Sequence, residues 1–264
     1  MVDDHRFFCF RNGELVEVTD SDDVEVRLAA ADSWLVENGR VRALDLHFER
    51  FTKAIEKVAP DHVSMLPSFF NAVLALIPQT GDWFPRLEFH SNDSFTYHLH
   101  LRLREAPERS DTVTLWTLDE PDPRINPEIK GPDLSLGQQL RRKANLHGAD
   151  EAVILDRNGH ILEGALSSLV WWRDDVLCAP GDDLAWLPSV TREVVFAVAE
   201  QAGFKTRTET VTPKQLNGLE IWTLSALHGI RVVTAWDALP DGPGTAEHAD
   251  SFRRRLKMLS AFID

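Results

Sequence analysis

The spacing of apolar residues predicts a chain of short strands and a few amphipathic helices. Asn-Gly pairs at 12–13 and 158–159 each lie between two apolar segments, which predicts two β-hairpins. Apolar side chains recur at helical spacing near 48–58, 67–77, 136–147, 191–202 and 252–262. Further strands are expected near 86–91, 95–104, 112–118, 168–173, 176–179, 221–224 and 230–236.

The order of these elements favours an α+β fold over a doubly wound sheet, because strands and helices mix without regular βαβ alternation. Residues 119–128 include three prolines, which disfavour both a helix and a central strand. We therefore predict two domains. A smaller N-terminal α/β domain covers residues 1–118, a linker covers 119–129, and a larger C-terminal domain with a mixed sheet covers 130–264.

Composition and charge narrow the classes of function. The chain has 264 residues, 43% of them hydrophobic, and a net charge of −14, which is typical of a globular protein whose surface repels nucleic acid and anionic lipid. The two cysteines show neither a disulfide framework nor a metal-ligand spacing. We find no signal-peptide pattern and no apolar segment of membrane-spanning length. The sequence therefore predicts a cytoplasmic protein that binds neither nucleic acid nor membrane.

Lys130 and Glu163 are the most informative pair of polar residues. Lys130 follows the proline-rich segment and precedes a helix, so it is expected at a domain junction, where binding pockets often form. Glu163 lies in an apolar strand directly after the second hairpin. A lysine amine can form a Schiff base, and a buried carboxylate can keep a pyridine nitrogen protonated. The pair predicts a pyridoxal-phosphate enzyme, although a solvated lysine and an edge-strand carboxylate facing water would look the same.

Several positions are suited to hold a phosphate. Arg50 lies on the first predicted helix, on the face opposite Phe51 and Ile55, and its guanidinium could bind phosphate or only pair with Glu49 or Glu56 on the surface. Ser189 is expected to cap a helix whose first N–H groups could hold an anion. Ser225 ends a strand and could add a hydroxyl to the same anion.

A polar sheet face offers candidates for substrate binding. Arg102 and Arg104 alternate with leucines, so both lie on one face of a strand, which His98 and His100 continue. The arginines oppose a bound cation, so we predict no metal here. The face either attracts a substrate carboxylate or is simply solvated. His228 could lie near the site or only cap a turn.

The motifs together resemble the class IV aminotransferases, which are the fold-type IV pyridoxal-phosphate enzymes. The family includes branched-chain aminotransferases, D-amino acid aminotransferases and 4-amino-4-deoxychorismate lyases. The similarity covers residues 32–236 and is strongest after Lys130. Matching segments follow the family order at 47–50, 130, 148–152, 159–164, 190–192 and 226–233.

The resemblance implies a role for each matching residue. Lys130 would bind the cofactor covalently and shuttle a proton, Glu163 would bind the pyridine nitrogen, and Leu187 would pack on the ring. Arg104 corresponds to a position where some members bind the substrate carboxylate, and Arg102 and His228 are further substrate-binding candidates. The phosphate would be bound by Arg50, Val190, Thr191, Ser225 and Ala226.

The resemblance also implies a homodimer that acts on an amino acid and a 2-oxo acid. Departures from the family pattern leave the reaction open, because Asp133 stands where many members have Asn, and Ala31-Asp32-Ser33 replaces a common Gly-Asp-Gly. Ser225-Ala-Leu is closer to the lyase pattern. An aminotransferase is the first hypothesis, a lyase that releases pyruvate and 4-aminobenzoate from aminodeoxychorismate is the second, and a catalytically silent member of the fold is the third.

Overall fold

The computed structural model describes residues 5–18, 27–92 and 96–263. Helices and strands mix without regular alternation, so the predicted α+β class is confirmed. The α-helices are α1 (Leu44–Val58), α2 (Leu66–Leu76), α3 (Leu134–Leu146), α4 (Val190–Gln201) and α5 (Ala249–Met258), with short 3-10 helices at Pro60–Met65 and Pro213–Leu216. The strands are β1 (His5–Arg11), β2 (Glu14–Val18), β3 (Arg27–Ser33), β4 (Val36–Glu37), β5 (Arg40–Arg42), β6 (Asp82–Trp83), β7 (Arg86–Ser91), β8 (Tyr97–Arg104), β9 (Thr112–Thr117), β10 (Glu151–Leu155), β11 (Ile161–Gly164), β12 (Ser168–Arg173), β13 (Val176–Pro180), β14 (Lys205–Glu209), β15 (Ile221–Ser225), β16 (Gly229–Trp236) and β17 (Ser260–Phe262).

The chain forms two compact units whose limits differ from the expected boundaries at 118 and 130. β9 belongs to the second unit because it pairs in parallel with β10 and β16, and Lys130 belongs to the first. The first unit contains Met1–Glu108, Ile129–Pro132 and Leu259–Asp264, and the second contains Arg109–Glu128 and Asp133–Met258.

The first unit is built on an antiparallel sheet of five strands in the order β2-β1-β8-β7-β3. The predicted first hairpin is confirmed, and Asn12 and Gly13 both adopt the positive φ of 53° and 88° that its tight turn requires. One sheet face packs on α1 and α2 and buries apolar residues such as Phe8, Phe89 and Leu101. Side chains alternate along each strand, so the opposite face carries the polar residues.

The second unit is built on a mixed sheet of eight strands in the order β11-β10-β9-β16-β15-β12-β13-β14. The β10–β11 hairpin predicted around Asn158-Gly159 is confirmed. One set of buried side chains, including Leu169 and Val233, forms a core on one sheet face. A separate cluster, including Leu140 and Ile154, packs α3 against β10.

The C-terminal prediction needs correction. The helix expected to carry Phe252, Leu256, Leu259 and Phe262 ends at Met258, and β17 follows it. β17 pairs with β5 in a small sheet of the first unit, in the order β17-β5-β4-β6, and this long-range pairing overrides the helical spacing of the apolar residues. Phe95, the expected start of β8, lies outside the described residues. Across the described residues, none of the helices combines the length and the apolar composition that a membrane crossing requires.

Candidate active site

In the first unit, strand β3 fixes the backbone at Lys130. The N–H of Ala31 donates to the carbonyl oxygen of Lys130 at 2.6 Å. Gly131 follows with a φ of 152°, and a Cβ at this position would lie 2.8 Å from the Cα of Ala30. Only glycine allows this approach without a shift of the backbone. The half-buried side chain of Lys130 therefore starts from a fixed point next to β3.

The same strand supplies a buried carboxylate that orients Arg50. Asp32 is fully buried and accepts hydrogen bonds from Nε of Arg50 at 2.7 Å and from Nη2 at 2.9 Å. It also accepts from Nδ1 of His47 at 2.7 Å, and from the N–H of Ser33 at 2.7 Å. Glu49, which together with Glu56 was the alternative surface partner for Arg50, pairs with Lys53. Arg50 is thus held in one orientation by a two-point contact.

In this cluster, the electrostatic environment keeps Asp32 ionised and His47 neutral. Burial opposes ionisation of Asp32, but the charge of Arg50 and the contact with His47 outweigh it and hold the pKa of Asp32 well below its usual range. Burial lowers the pKa of His47, and the positive charges of Arg50 and Lys130 lower it further against the pull of Asp32. Lys130 is therefore close enough to His47 for its charge to be felt there.

The polar face of the first sheet is less cationic than the sequence implied. Glu88 is buried on this face, and its Oε1 accepts from Nε of Arg102 at 2.9 Å and pairs with Nη2 of Arg86. Arg102 therefore shares the carboxylate of Glu88 with Arg86. Arg104 donates from Nε to the carbonyl oxygen of Phe84 at 3.2 Å and lies over the Phe84 ring at 5.0 Å.

His98 and His100 lie on this polar face, as predicted from the alternation of side chains. Their rings are 6.2 Å apart, and the ring of His100 stacks on Phe7 at 4.8 Å. In the described part of the chain, no group of three or more His, Cys, Asp or Glu residues has the arrangement of a metal site.

In the second unit, Glu163 lies on the edge strand β11, but its carboxylate is buried and does not face water. Its Oε1 accepts from the N–H of Leu187 at 2.8 Å and from Nη1 of Arg124. Burial raises the pKa of Glu163 to about 7, although the charge of Arg124 and the bond from Leu187 lower it. Together with Trp186 and Arg192, Glu163 also lines a small cavity. The backbone of Leu187 is thus tied directly to the carboxylate.

The start of α4 has the form predicted for an anion site. Ser189 caps the helix, and its hydroxyl accepts from the N–H of Arg192 at 3.2 Å. The N–H groups of Val190 and Thr191 belong to the first helical turn, where no intrahelical acceptor exists. The guanidinium of Arg192 turns back over the ring of Trp186 at 3.9 Å. The free N–H groups and the helix dipole favour an anion at this end.

The turn after β15 arranges Ser225, Ala226 and His228. The hydroxyl of Ser225 accepts from the N–H of His228 at 3.2 Å, so its own hydrogen can still be donated. Nδ1 of His228 accepts from the N–H of Ser110 at 3.2 Å. Burial lowers the pKa of His228 to about 4, and the nearby Arg231, Arg141 and Arg109 act in the same direction. His228 is therefore neutral at pH 7 and braces this turn.

The predicted residues fall into two sets. The first unit brings Lys130 and Arg50 into one cluster and keeps Arg102 and Arg104 on a separate sheet face. The second unit connects Glu163 directly to Leu187. The remaining predicted residues lie at the start of α4 and in the turn after β15, and they are Val190, Thr191, Ser225, Ala226 and His228.

Three residues of these clusters had no role in the sequence interpretation. The segment around Asp32 was noted only because Ala31-Asp32-Ser33 replaces the Gly-Asp-Gly of the family. An aspartate that follows Leu-Ala-Ala-Ala is nevertheless a sequence signal for a buried polar group. His47 belonged to a matching segment without a role. Arg124 lies in the proline-rich linker, where no periodic pattern exists, so no sequence signal could have paired it with Glu163.

These side chains fit pyridoxal phosphate. Lys130 provides an amine on a fixed backbone, and Glu163 provides a carboxylate that burial has already removed from water. Arg50 is oriented by Asp32, and the first turn of α4 offers N–H donors for a phosphate. The donor set contains each group that the cofactor needs.

Comparisons with known proteins identify relatives of the chain. The family model for amino-transferase class IV matches residues 29–236. The branched-chain-amino-acid aminotransferase of Escherichia coli (strain K12) is 34% identical over 83 residues, which are 31% of this chain and 26% of that protein. The aminodeoxychorismate lyase of Vibrio harveyi is 26% identical over 104 residues, which are 38% of each chain. The match therefore spans about a quarter of the first relative and well under half of the second.

Solved structures share the fold over nearly the whole chain. The branched-chain amino acid aminotransferase from Escherichia coli superposes with a TM-score of 0.80 at 15% identity and covers 98% of this chain and 99% of its own. The PLP-bound form of a hypothetical aminotransferase from Mycobacterium tuberculosis gives a TM-score of 0.77 at 17% identity, with 97% and 98% covered. The fold-type IV architecture expected from the sequence is confirmed by these likenesses.

Proposed function

Because the chain belongs to the amino-transferase class IV family, we propose that it is a pyridoxal-phosphate-dependent aminotransferase that acts on an amino acid and a 2-oxo acid. One observation carries the proposal beyond family membership. A single strand, β3, fixes both the backbone of Lys130 and the guanidinium of Arg50. A covalent anchor and a phosphate ligand must keep a constant separation if they hold one rigid cofactor, and a shared strand meets this need.

When bound, pyridoxal phosphate supplies an electron sink that stabilises negative charge at the substrate α-carbon. In the proposal, Nζ of Lys130 holds the cofactor covalently and later moves a proton at that carbon. Glu163 holds a proton at the pyridine nitrogen.

We assign the phosphate to groups that either carry a positive charge or can donate a hydrogen bond. Arg50 contributes the charge, and its orientation is set by Asp32. The N–H groups of Val190 and Thr191, the hydroxyl of Ser225 and the backbone of Ala226 contribute neutral donors. Leu187 packs on the ring, since its N–H already binds the carboxylate of Glu163.

Arg104 is the first candidate for binding the substrate carboxylate, because it corresponds to a position where some family members bind this group. Its Nε donates to the carbonyl oxygen of Phe84, and its guanidinium lies over the Phe84 ring. Arg102 shares its charge with Glu88, which weakens its attraction for a second carboxylate. The neutral His228 could contribute a hydrogen bond but no charge.

Reduction with borohydride followed by peptide mass mapping tests the proposal. Protein incubated with pyridoxal phosphate should carry the reduced cofactor on the peptide that contains Lys130, and Lys130→Ala should lose both the tag and the turnover. Lys143→Ala is the matched control, because Lys143 is a partly exposed lysine of α3 paired with Glu120 at 3.5 Å. A tag on another lysine, or full turnover by Lys130→Ala, contradicts the assignment.

Product analysis separates the second candidate, an aminodeoxychorismate lyase, which is favoured by the match to the Vibrio harveyi lyase. A lyase releases pyruvate from aminodeoxychorismate without an amino acceptor, whereas an aminotransferase needs a 2-oxo acid. A panel of L- and D-amino acids that changes the absorbance of the bound cofactor would identify the donor. Protein that stays colourless with added cofactor would support the catalytically silent alternative.

Two further proposals concern the location of the protein in the cell and its oligomeric state. We propose a cytoplasmic homodimer, in keeping with the family resemblance and with Cys9 and Cys178, which are both free and buried. Light scattering during size exclusion measures the assembly, and a monomeric mass would contradict it.

A further inference from the structure

Arg124 is the central cation of a closed hydrogen-bonded cluster in the second unit. Its side chain is 8% exposed. Nε and Nη2 each donate to a different oxygen of Asp122 at 2.9 Å. Nη2 also donates to the carbonyl oxygen of Ala185 at 3.0 Å, and Nη1 donates to Oε1 of Glu163. The guanidinium therefore joins the proline-rich segment to β11 and to the loop that carries Leu187.

The backbone around Arg124 is fixed as firmly as its side chain. Oδ1 of Asp122 accepts from the N–H of Arg124 at 3.0 Å. The carboxylate of Asp133 accepts from the N–H of Ile125 at 3.1 Å and from the N–H of Asn126 at 2.7 Å. This irregular segment is therefore pinned on both sides of Arg124, which leaves the guanidinium little freedom to leave Glu163.

Few charged groups besides Arg124 act on Glu163. Asp122 opposes the ionisation of Glu163 but sits behind the guanidinium, which it neutralises in part. Arg192 lines the same cavity as Glu163, and its own charge is paired with Asp182 at 3.3 Å. Among the described residues, Arg124 is the cation with a direct contact to the carboxylate of Glu163.

We propose that Arg124 is a positioning residue that keeps Glu163 ionised and aimed, so that the proton at the ring nitrogen of the cofactor stays on the nitrogen. The inference rests on the proposed function, because it needs a bound pyridine ring. Arg124 and Leu187 both bond to Oε1 of Glu163, which leaves Oε2 for the nitrogen. A buried carboxylate without a partner cation would instead take the proton itself.

The ionised and protonated forms of Glu163 are close enough in free energy for one residue to decide between them. Burial already raises the pKa of Glu163 to about 7 with Arg124 in place. Loss of the Arg124 charge raises this pKa further. Each additional unit lowers the ionised fraction at neutral pH by about tenfold. The ring nitrogen would then lose its proton, and the stabilisation of charge at the substrate α-carbon would fall with it.

Nitrogen NMR of holoenzyme loaded with ¹⁵N-labelled pyridoxal phosphate tests the inference directly. In wild-type protein the ring nitrogen should show the protonated shift throughout pH 6–8. Arg124→Gln keeps donors for Asp122 and Ala185 but removes the charge, so it should show the unprotonated shift and a kcat lowered by about tenfold or more. Arg124→Lys restores the charge and should return the protonated shift. Lys143→Gln is the control, because it removes a cation from the exposed pair with Glu120.

The outcomes separate this inference from the proposed function. Wild-type protein that binds no cofactor overturns both. A protonated nitrogen in Arg124→Gln holoenzyme overturns the inference alone, as does an unprotonated nitrogen in the wild type. If Arg124→Gln does not fold, which circular dichroism would show, the wild-type shift and the Arg124→Lys shift still decide. A merely structural role for Arg124 predicts lower stability with an unchanged nitrogen shift.

Discussion

Asp32 in the first unit and Glu163 in the second are both buried carboxylates, yet their pKa values are displaced in opposite directions. Asp32 contacts Arg50 through two nitrogen atoms and also contacts His47 and the N–H of Ser33. Its pKa is held well below the usual range. Glu163 contacts one guanidinium nitrogen and one N–H, and its pKa is raised to about 7.

The difference shows that burial alone does not determine the charge of a carboxylate. Burial opposes ionisation in both clusters, and the contacts decide which effect wins. The guanidinium of Arg124 is shared with Asp122, so Glu163 receives only part of its charge. Asp32, in contrast, accepts hydrogen bonds from two nitrogen atoms of Arg50. Asp32 is thus suited to a permanent charge, whereas Glu163 in the cofactor-free protein titrates near neutral pH.

The largest expected effect comes from removing the carboxylate charge of Asp32. Asp32→Asn keeps the size of the side chain and one acceptor oxygen, but it removes the buried carboxylate charge that pairs with half-buried Arg50. We expect a loss of about 3–5 kcal/mol in the free energy of unfolding at pH 7, which is typical when one partner of a buried ion pair is removed. Urea unfolding with peptide-resolved hydrogen exchange would locate the loss in β3 and α1.

A matched control for this prediction is Glu17→Gln, which breaks the exposed pair between Glu17 and Arg6 at 3.0 Å. Solvent screens this pair, so we expect a much smaller change. Equal losses from Asp32→Asn and Glu17→Gln would mean that the Asp32 cluster does not depend on burial.

The second prediction concerns the sign of the pH dependence in cofactor-free protein. The folded pKa of Glu163 is raised, so its contribution to stability is fully present below the ordinary pKa of Glu and is lost as pH rises through about 7. The loss is about 3 kcal/mol, since one pKa unit corresponds to about 1.4 kcal/mol. Asp32 has a lowered pKa, so its contribution is present above the ordinary pKa of Asp and is lost only in acid.

The measurement is the difference in unfolding free energy between wild type and Glu163→Gln across pH 5–8. Wild type should lose stability relative to the variant as pH rises, because the variant lacks the titrating group. Asp32→Asn measured across the same range should differ from wild type by a constant amount. A flat difference for Glu163→Gln would contradict the raised pKa.

Local patterns in the sequence predicted the helices and hairpins, because their signals lie within a few residues. Six strands were missed, namely β3, β4, β5, β6, β14 and β17, and two of them show the physical reasons. β3 is rich in alanine, which has low β-propensity, and its place is set by pairing with β7. β14 is polar throughout, and it pairs in parallel with β13 at the sheet edge. Such long-range pairing leaves no periodic trace in the chain.

The candidate site also combines residues that lie in local motifs with partners that only the fold brings to them. Lys130, Glu163 and Arg50 could be proposed from the sequence because each lies in a short motif with a fixed order of residue types. Their partners were not found, because Asp32 reaches Arg50 across 18 positions and Arg124 reaches Glu163 across 39. A carboxylate and an arginine at such separations have no mutual signal in a single sequence. The sequence therefore predicts which groups carry the chemistry, and the fold determines the partners that set their charge.

The smallest expected effect concerns the cluster of Arg124 and Glu163. Arg124 lies in an irregular segment, whereas Arg50 lies in helix α1. Asp133 pins this segment through its bonds to the N–H groups of Ile125 and Asn126. Asp133→Ala removes both acceptors and should cost about 1 kcal/mol, the usual net contribution of such bonds. Asp133→Asn keeps one acceptor oxygen and should cost less. Hydrogen exchange should rise in residues 122–126 of Asp133→Ala and stay unchanged in β3, because the Asp32 cluster depends on a strand and a helix of its own unit. If exchange in 122–126 does not change, Asp122 alone is sufficient to hold Arg124 at Glu163.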